Sequence, residues 1–90
     1  MAESKKILVV DDEDDVRLFL QDFLSERDFL VDSAADGEEA LTKVDTSVPD
    51  IVLLDIMMPG IDGIECLERI KKKHAEVTVI MITALKDENR

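Results

Sequence analysis

Cysteine is almost missing from this chain. Cys66 stands alone among 90 residues, so no internal disulfide and no thiolate metal site can form. It lies in a helical pattern beside Leu67 and reads as a small core hydrophobe rather than a reactive thiol. Long hydrophobic runs are missing too. Behind Met1-Ala2-Glu3-Ser4-Lys5-Lys6 come only four apolar residues, too few for a signal sequence or a membrane span, and a cytoplasmic protein is expected. Cationic side chains are scarce: 11 Lys and Arg face 22 Asp and Glu, for a net charge of −11. Such a chain lacks the basic face that releases counterions from nucleic acid or an anionic membrane, so neither is expected as a direct partner. Its charge suits cations or a basic protein surface. There is no Gly-rich phosphate loop, no zinc spacing, no serine or cysteine triad, no internal repeat and no linker. His74, the one histidine, follows three lysines in a polar stretch and reads as a solvated helix end without a partner. Lys71, Lys72 and Lys73 read the same way. Ninety residues make one domain, residues 1–90, with a thin core.

What is present alternates in three parts: short apolar runs, loops of Asp, Gly or Pro, and amphipathic segments. Residues 7–10 and 51–54 are unbroken aliphatic runs, which predicts strands covered on both faces. Residues 29–35 mix Asp32 and Ser33 with apolar side chains, as suits a strand at a sheet edge, and residues 77–82 form a fourth strand. Helices are predicted over 14–27, 38–44 and 64–73. The first carries an apolar stripe of Val16, Phe19, Leu20, Phe23 and Leu24, the second Ala40, Leu41 and Val44, the third Ile64, Leu67 and Ile70. Acidic residues open the first helix and lysines close the third, each matching the sign of the helix dipole. The order β-α-β-α-β-α-β with short loops demands a parallel α/β sheet with right-handed crossovers.

In such sheets, ligands bind beyond the carboxyl ends of the strands. The first run leads into Asp11-Asp12-Glu13-Asp14-Asp15, the third ends in Asp55, and the fourth ends in Thr83-Ala84. Asp11, Asp12, Asp55 and Thr83 would then surround one point. Carboxylates crowd together when something positive sits among them, and oxygen donors ask for a hard divalent cation such as Mg²⁺. Asp55, held rigidly at the end of a buried strand, is placed to act as nucleophile toward a phosphoryl group. Asp11 and Asp12 supply metal oxygens, and the Thr83 hydroxyl can donate to a phosphoryl oxygen. Backbone groups of the turn Met57-Met58-Pro59-Gly60 can approach the site, whereas Asp14, Asp15, Asp36 and Asp62 read as caps or turn residues.

The segments Ile7-Leu8-Val9-Val10-Asp11-Asp12, Asp36-Gly37-Glu38-Glu39-Ala40, the run from Pro49-Asp50 through Asp55 to Gly63, and Ile80-Met81-Ile82-Thr83-Ala84 together resemble the receiver domain of two-component response regulators. The resemblance runs through essentially the whole chain. It implies a flavodoxin-like, doubly wound parallel sheet of strand order 2-1-3-4. It also implies that Asp55 accepts a phosphoryl group from the phosphohistidine of a sensor histidine kinase or phosphotransfer protein. By the same resemblance, Asp12, Asp55 and the Met57 carbonyl ligate Mg²⁺, with Asp11 acting mainly through water. The Thr83 hydroxyl and the Met57 and Ala84 amides would hold the phosphoryl oxygens. Such a domain assists its own phosphorylation and dephosphorylation without being an enzyme in the usual sense.

The resemblance further implies a fourth helix, a fifth strand bearing a phosphate-pairing lysine, and a fifth helix beyond Arg90. Lys86, near Thr83 in sequence, is not expected to replace that lysine, since its position in the fold would differ. A polypeptide ending at Arg90 would be a C-terminally incomplete receiver whose fourth strand is an apolar edge, and it is expected to dimerise, swap elements or aggregate. A monomer by light scattering would count against this. Alternatively, Arg90, basic and in a polar loop, marks a cut in a longer receiver. Two rival functions remain: an interaction or Mg²⁺-binding module that is not phosphorylated, and a phosphohydrolase of the haloacid-dehalogenase type. The second wants an Asp-x-Asp pattern with a following Thr or Val, which Asp11-Asp12-Glu13-Asp14 does not offer cleanly.

Overall fold

The computed structural model describes residues 4–58 and 60–82. Strands β1 (Lys6–Val10), β2 (Leu30–Ala34), β3 (Ile51–Asp55) and β4 (Thr78–Ile82) alternate with helices α1 (Asp14–Ser25), α2 (Gly37–Thr46) and α3 (Gly63–Lys73). The four strands form one parallel sheet in the order β2-β1-β3-β4. The chain steps one way from β1 to β2 and the other way from β2 through β3 to β4. Right-handed crossovers therefore put α1 on one face and α2 with α3 on the other, which is the doubly wound arrangement.

The aliphatic runs behave as central strands. Leu8, Val10, Val52 and Leu54 join Ala40, Val44, Cys66 and Ile70 in the core beneath α2 and α3. Ile7 and Val9, which alternate with them along β1, are also buried, so that strand is covered on both faces. β2 is an edge strand, and its Ser33 backbone is dressed by side chains: the Ser33 N–H donates to Asp32 Oδ1, and Lys43 Nζ donates to the Ser33 carbonyl. Burial alone would lower the Lys43 pKa, but Asp32, and then Glu39, outweigh it and hold the ammonium above its ordinary value. Asp36 and Asp62 are N-caps, accepting from the Glu39 and Glu65 amides at 2.8 Å each.

Four expectations need correction. The α1 stripe is only partly covered: Val16, Leu20 and Leu24 are half-buried, whereas Phe19 (65% exposed) and Phe23 (41%) lie open, their rings 5.9 Å apart. On α3, Ile70 and Leu67 pack the core as expected and Cys66 joins them, but Ile64 is exposed, since the most buried side of the helix runs through residues 63, 66 and 70. His74 is not partnerless: its Nε2 lies 2.9 Å from Asp45 Oδ1 on α2. Lys73 bonds the other oxygen of the same carboxylate, and together His74 and Lys73 draw the Asp45 pKa below the ordinary carboxylate range. Lys71 likewise is not merely solvated, since it donates to the Ala75 and Val77 carbonyls.

Burial pushes the Cys66 thiol up to about 11, against a smaller opposing pull from Arg69. At pH 8 the folded protein should therefore react with a thiol reagent far more slowly than free cysteine, releasing one equivalent only on unfolding in denaturant. Rapid native labelling would contradict the buried placement.

Candidate metal centre

β1 and β3 run side by side with Val10 opposite Leu54, so the next residue of each, Asp11 and Asp55, emerges at the same edge of the sheet. One carboxylate oxygen from each of Asp11, Asp12 and Asp55 lies within 4.8 Å of the others. Asp55 is fully buried and Asp11 is 3% exposed, while Asp12 faces solvent. The two buried carboxylates are oriented by the backbone: Asp11 Oδ1 accepts the Glu13 N–H at 2.8 Å, and Asp55 Oδ1 accepts the Met57 N–H at 3.0 Å.

The surrounding chain is anchored around them. The Asp11 N–H donates to the Ala34 carbonyl at the end of β2. The Ile56 N–H donates to the Ile82 carbonyl at the end of β4, which ties the exit of β3 to its neighbour. Thr83 and Ala84, expected to bind phosphate, lie outside the described residues, as do Pro59 and Lys86. Met57, expected to offer its carbonyl and amide, is a turn residue with an exposed side chain, and Met58 beside it is buried.

Two residues at this edge carry more than the sequence reading gave them. Gly63 opens α3 against the exit of β3, and its N–H donates to the Ile56 carbonyl at 3.1 Å. A Cβ there would stand 2.5 Å from the Asp55 carbonyl oxygen and 2.6 Å from Ile56 Cα. No side chain fits without displacing the backbone that carries Asp55. Arg17, in the first turn of α1, donates from Nη1 to the Asp11 carbonyl at 2.6 Å and pairs through Nη2 with Asp14. The signals available were Gly63 directly after a capping Asp62 and the three-residue spacing from Asp14 to Arg17.

The donor set fits Mg²⁺. It offers only hard oxygens, and the solvent-facing Asp12 leaves room for the waters that this ion keeps. With no histidine in the group and the chain's one thiol buried under α2 and α3, a soft metal has nothing to select it here.

A doubly wound parallel domain with three carboxylates converging at the carboxyl edge of its sheet defines a class of α/β domains with an acidic pocket suited to a cation. The family model described as response regulator receiver domain matches residues 7–90, and the chain belongs to that family. It is 45% identical to the alkaline phosphatase synthesis transcriptional regulatory protein PhoP of Bacillus subtilis, over 94% of this chain and 35% of that protein. It is 41% identical to sporulation initiation phosphotransferase F of the same organism, over 90% of this chain and 65% of the relative. The chain thus spans about a third of the first of these proteins and about two thirds of the second. Among solved structures, response regulator TrrA of Thermotoga maritima, in complex with Mg²⁺-BeF, superposes with a TM-score of 0.86 at 45% identity, over 91% of this chain and 71% of that one.

Gly63→Ala should cost about 1–3 kcal/mol in urea denaturation, because the intruding methyl meets backbone rather than a movable side chain. The same variant should bind Mg²⁺ more weakly. A change within about 0.5 kcal/mol, as for an ordinary surface substitution, would show that the α3–β3 junction yields freely.

Proposed function

We propose that Asp55 is the phosphoacceptor of a two-component signalling relay, taking a phosphoryl group from the phosphohistidine of a sensor histidine kinase or phosphotransfer protein. The observation that carries this reading is the fully buried Asp55 carboxylate at the end of β3, within 4.8 Å of two further carboxylates. Asp55 Oδ1 accepts the Met57 N–H, which fixes the orientation of the carboxylate. In the transfer, a carboxylate oxygen forms the new O–P bond as the P–N bond of phosphohistidine breaks and the imidazole leaves with the electron pair. Asp11, Asp12, Asp55 and the Met57 carbonyl would hold Mg²⁺, whose positive charge would offset repulsion between Asp55 and the incoming phosphoryl oxygens. The Thr83 hydroxyl and the Met57 and Ala84 amides would hold those oxygens.

The relatives support this reading: one is named a phosphotransferase, and a solved neighbour is in complex with Mg²⁺-BeF. Residues 1–90 act as one receiver unit that assists its own phosphorylation and dephosphorylation rather than turning over a substrate. The unit works in the cytoplasm, with a partner protein rather than nucleic acid as its direct contact. Among the described residues, no helix is long and apolar enough to cross a membrane.

Incubation with acetyl phosphate and Mg²⁺ should add a single phosphoryl group by intact mass, with loss of acetate, and no adduct in Asp55→Asn. An adduct that persists in Asp55→Asn would move the acceptor elsewhere. No adduct in the unsubstituted chain, despite Mg²⁺ binding, would favour a metal-binding module that is not phosphorylated.

A further inference from the structure

We propose that Arg17 is a positioning residue of the metal centre, whose guanidinium fixes the peptide between Asp11 and Asp12 so that both carboxylates face Asp55. This rests on the cation-site reading above. No residue of α1 is fully buried, yet the Arg17 side chain is only 16% exposed, folded back over the first turn of its own helix. Its Nη1 donates to the Asp11 carbonyl at 2.6 Å, and its Nη2 pairs with Asp14. Asp11 is then held at three points: N–H to the Ala34 carbonyl, carboxylate to the Glu13 N–H, and carbonyl to Arg17. The carbonyl is the decisive one. The Asp11 C=O and the Asp12 N–H belong to one rigid peptide plane, so fixing that oxygen fixes where the Asp12 backbone, and with it the Asp12 carboxylate, begins.

Only a planar fork reaches both groups. A guanidinium can donate to the Asp11 carbonyl and the Asp14 carboxylate together, whereas an ammonium is a point charge without that geometry. Mere proximity of positive charge would have the opposite consequence, since a cation beside a cation site opposes the metal. Positioning and through-space electrostatics therefore differ in sign.

Isothermal titration with Mg²⁺ alone compares the 90-residue chain with Arg17→Met and Arg17→Lys, at a temperature where circular dichroism shows all three folded. Both variants should bind Mg²⁺ about tenfold more weakly, as on loss of other groups that orient metal ligands. Tighter binding by Arg17→Met with Arg17→Lys unchanged would overturn the proposal in favour of electrostatics. A lower urea midpoint with unchanged Mg²⁺ affinity would overturn it in favour of a purely structural role. Should Arg17→Met fail to fold, Arg17→Lys decides alone, since it keeps the charge and loses the fork. If the unsubstituted chain binds no Mg²⁺, the cation-site reading fails first and this proposal falls with it.

Discussion

Like charges held together at the end of a parallel sheet are the constraint on which the rest of this structure depends. Asp11 and Asp55 are buried, and Asp12 adds a third carboxylate with an oxygen inside the same 4.8 Å. Carboxylate charges this close repel one another when nothing positive lies between them. Flexible loops would relieve that strain by moving apart. Strand ends cannot, because β1 and β3 are joined by their ladder up to Val10 and Leu54. Carboxylates held together in this way form a donor set suited to a hard divalent cation.

The scaffold around the site reads as a set of devices that stop this edge from relaxing. The Asp11 amide is tied to β2, the Ile56 amide to β4, and α3 is brought against the β3 exit at the one residue type that fits, Gly63. Hydrophobic burial supplies most of the driving force, from the aliphatic strands and from α2 and α3 beneath them. At the far ends of α2 and α3, the Asp45–Lys73 ion pair and the Asp45–His74 hydrogen bond lie at the surface and contribute little to stability. They register the two helices against each other away from the site.

Much of this was legible in the sequence, for definite reasons. Unbroken runs such as residues 7–10 mark strands covered on both faces, and the β-α alternation leaves few topologies. Placing Asp11, Asp12 and Asp55 together followed from the topology alone, since all three stand at strand ends. What escaped depends on long-range contact. A stripe on α1 shows which side is apolar but not how far a neighbour covers it, so the exposure of Phe19 and Phe23 was invisible. The partner of His74 lies 29 residues away on another helix. The close approach of Gly63 to Asp55 exists only once α3 docks.

The central claim is that the carboxylates repel until a cation joins them. The direct test is chemical denaturation of Asp55→Asn beside the unsubstituted chain, once in chelator and once in Mg²⁺. Asparagine keeps an oxygen to accept the Met57 amide, so the change removes chiefly charge. The account predicts that the variant is more stable than the unsubstituted chain in chelator, by about 1–3 kcal/mol, and gains much less from Mg²⁺. Equal or lower stability in chelator, with an undiminished response to Mg²⁺, would contradict it.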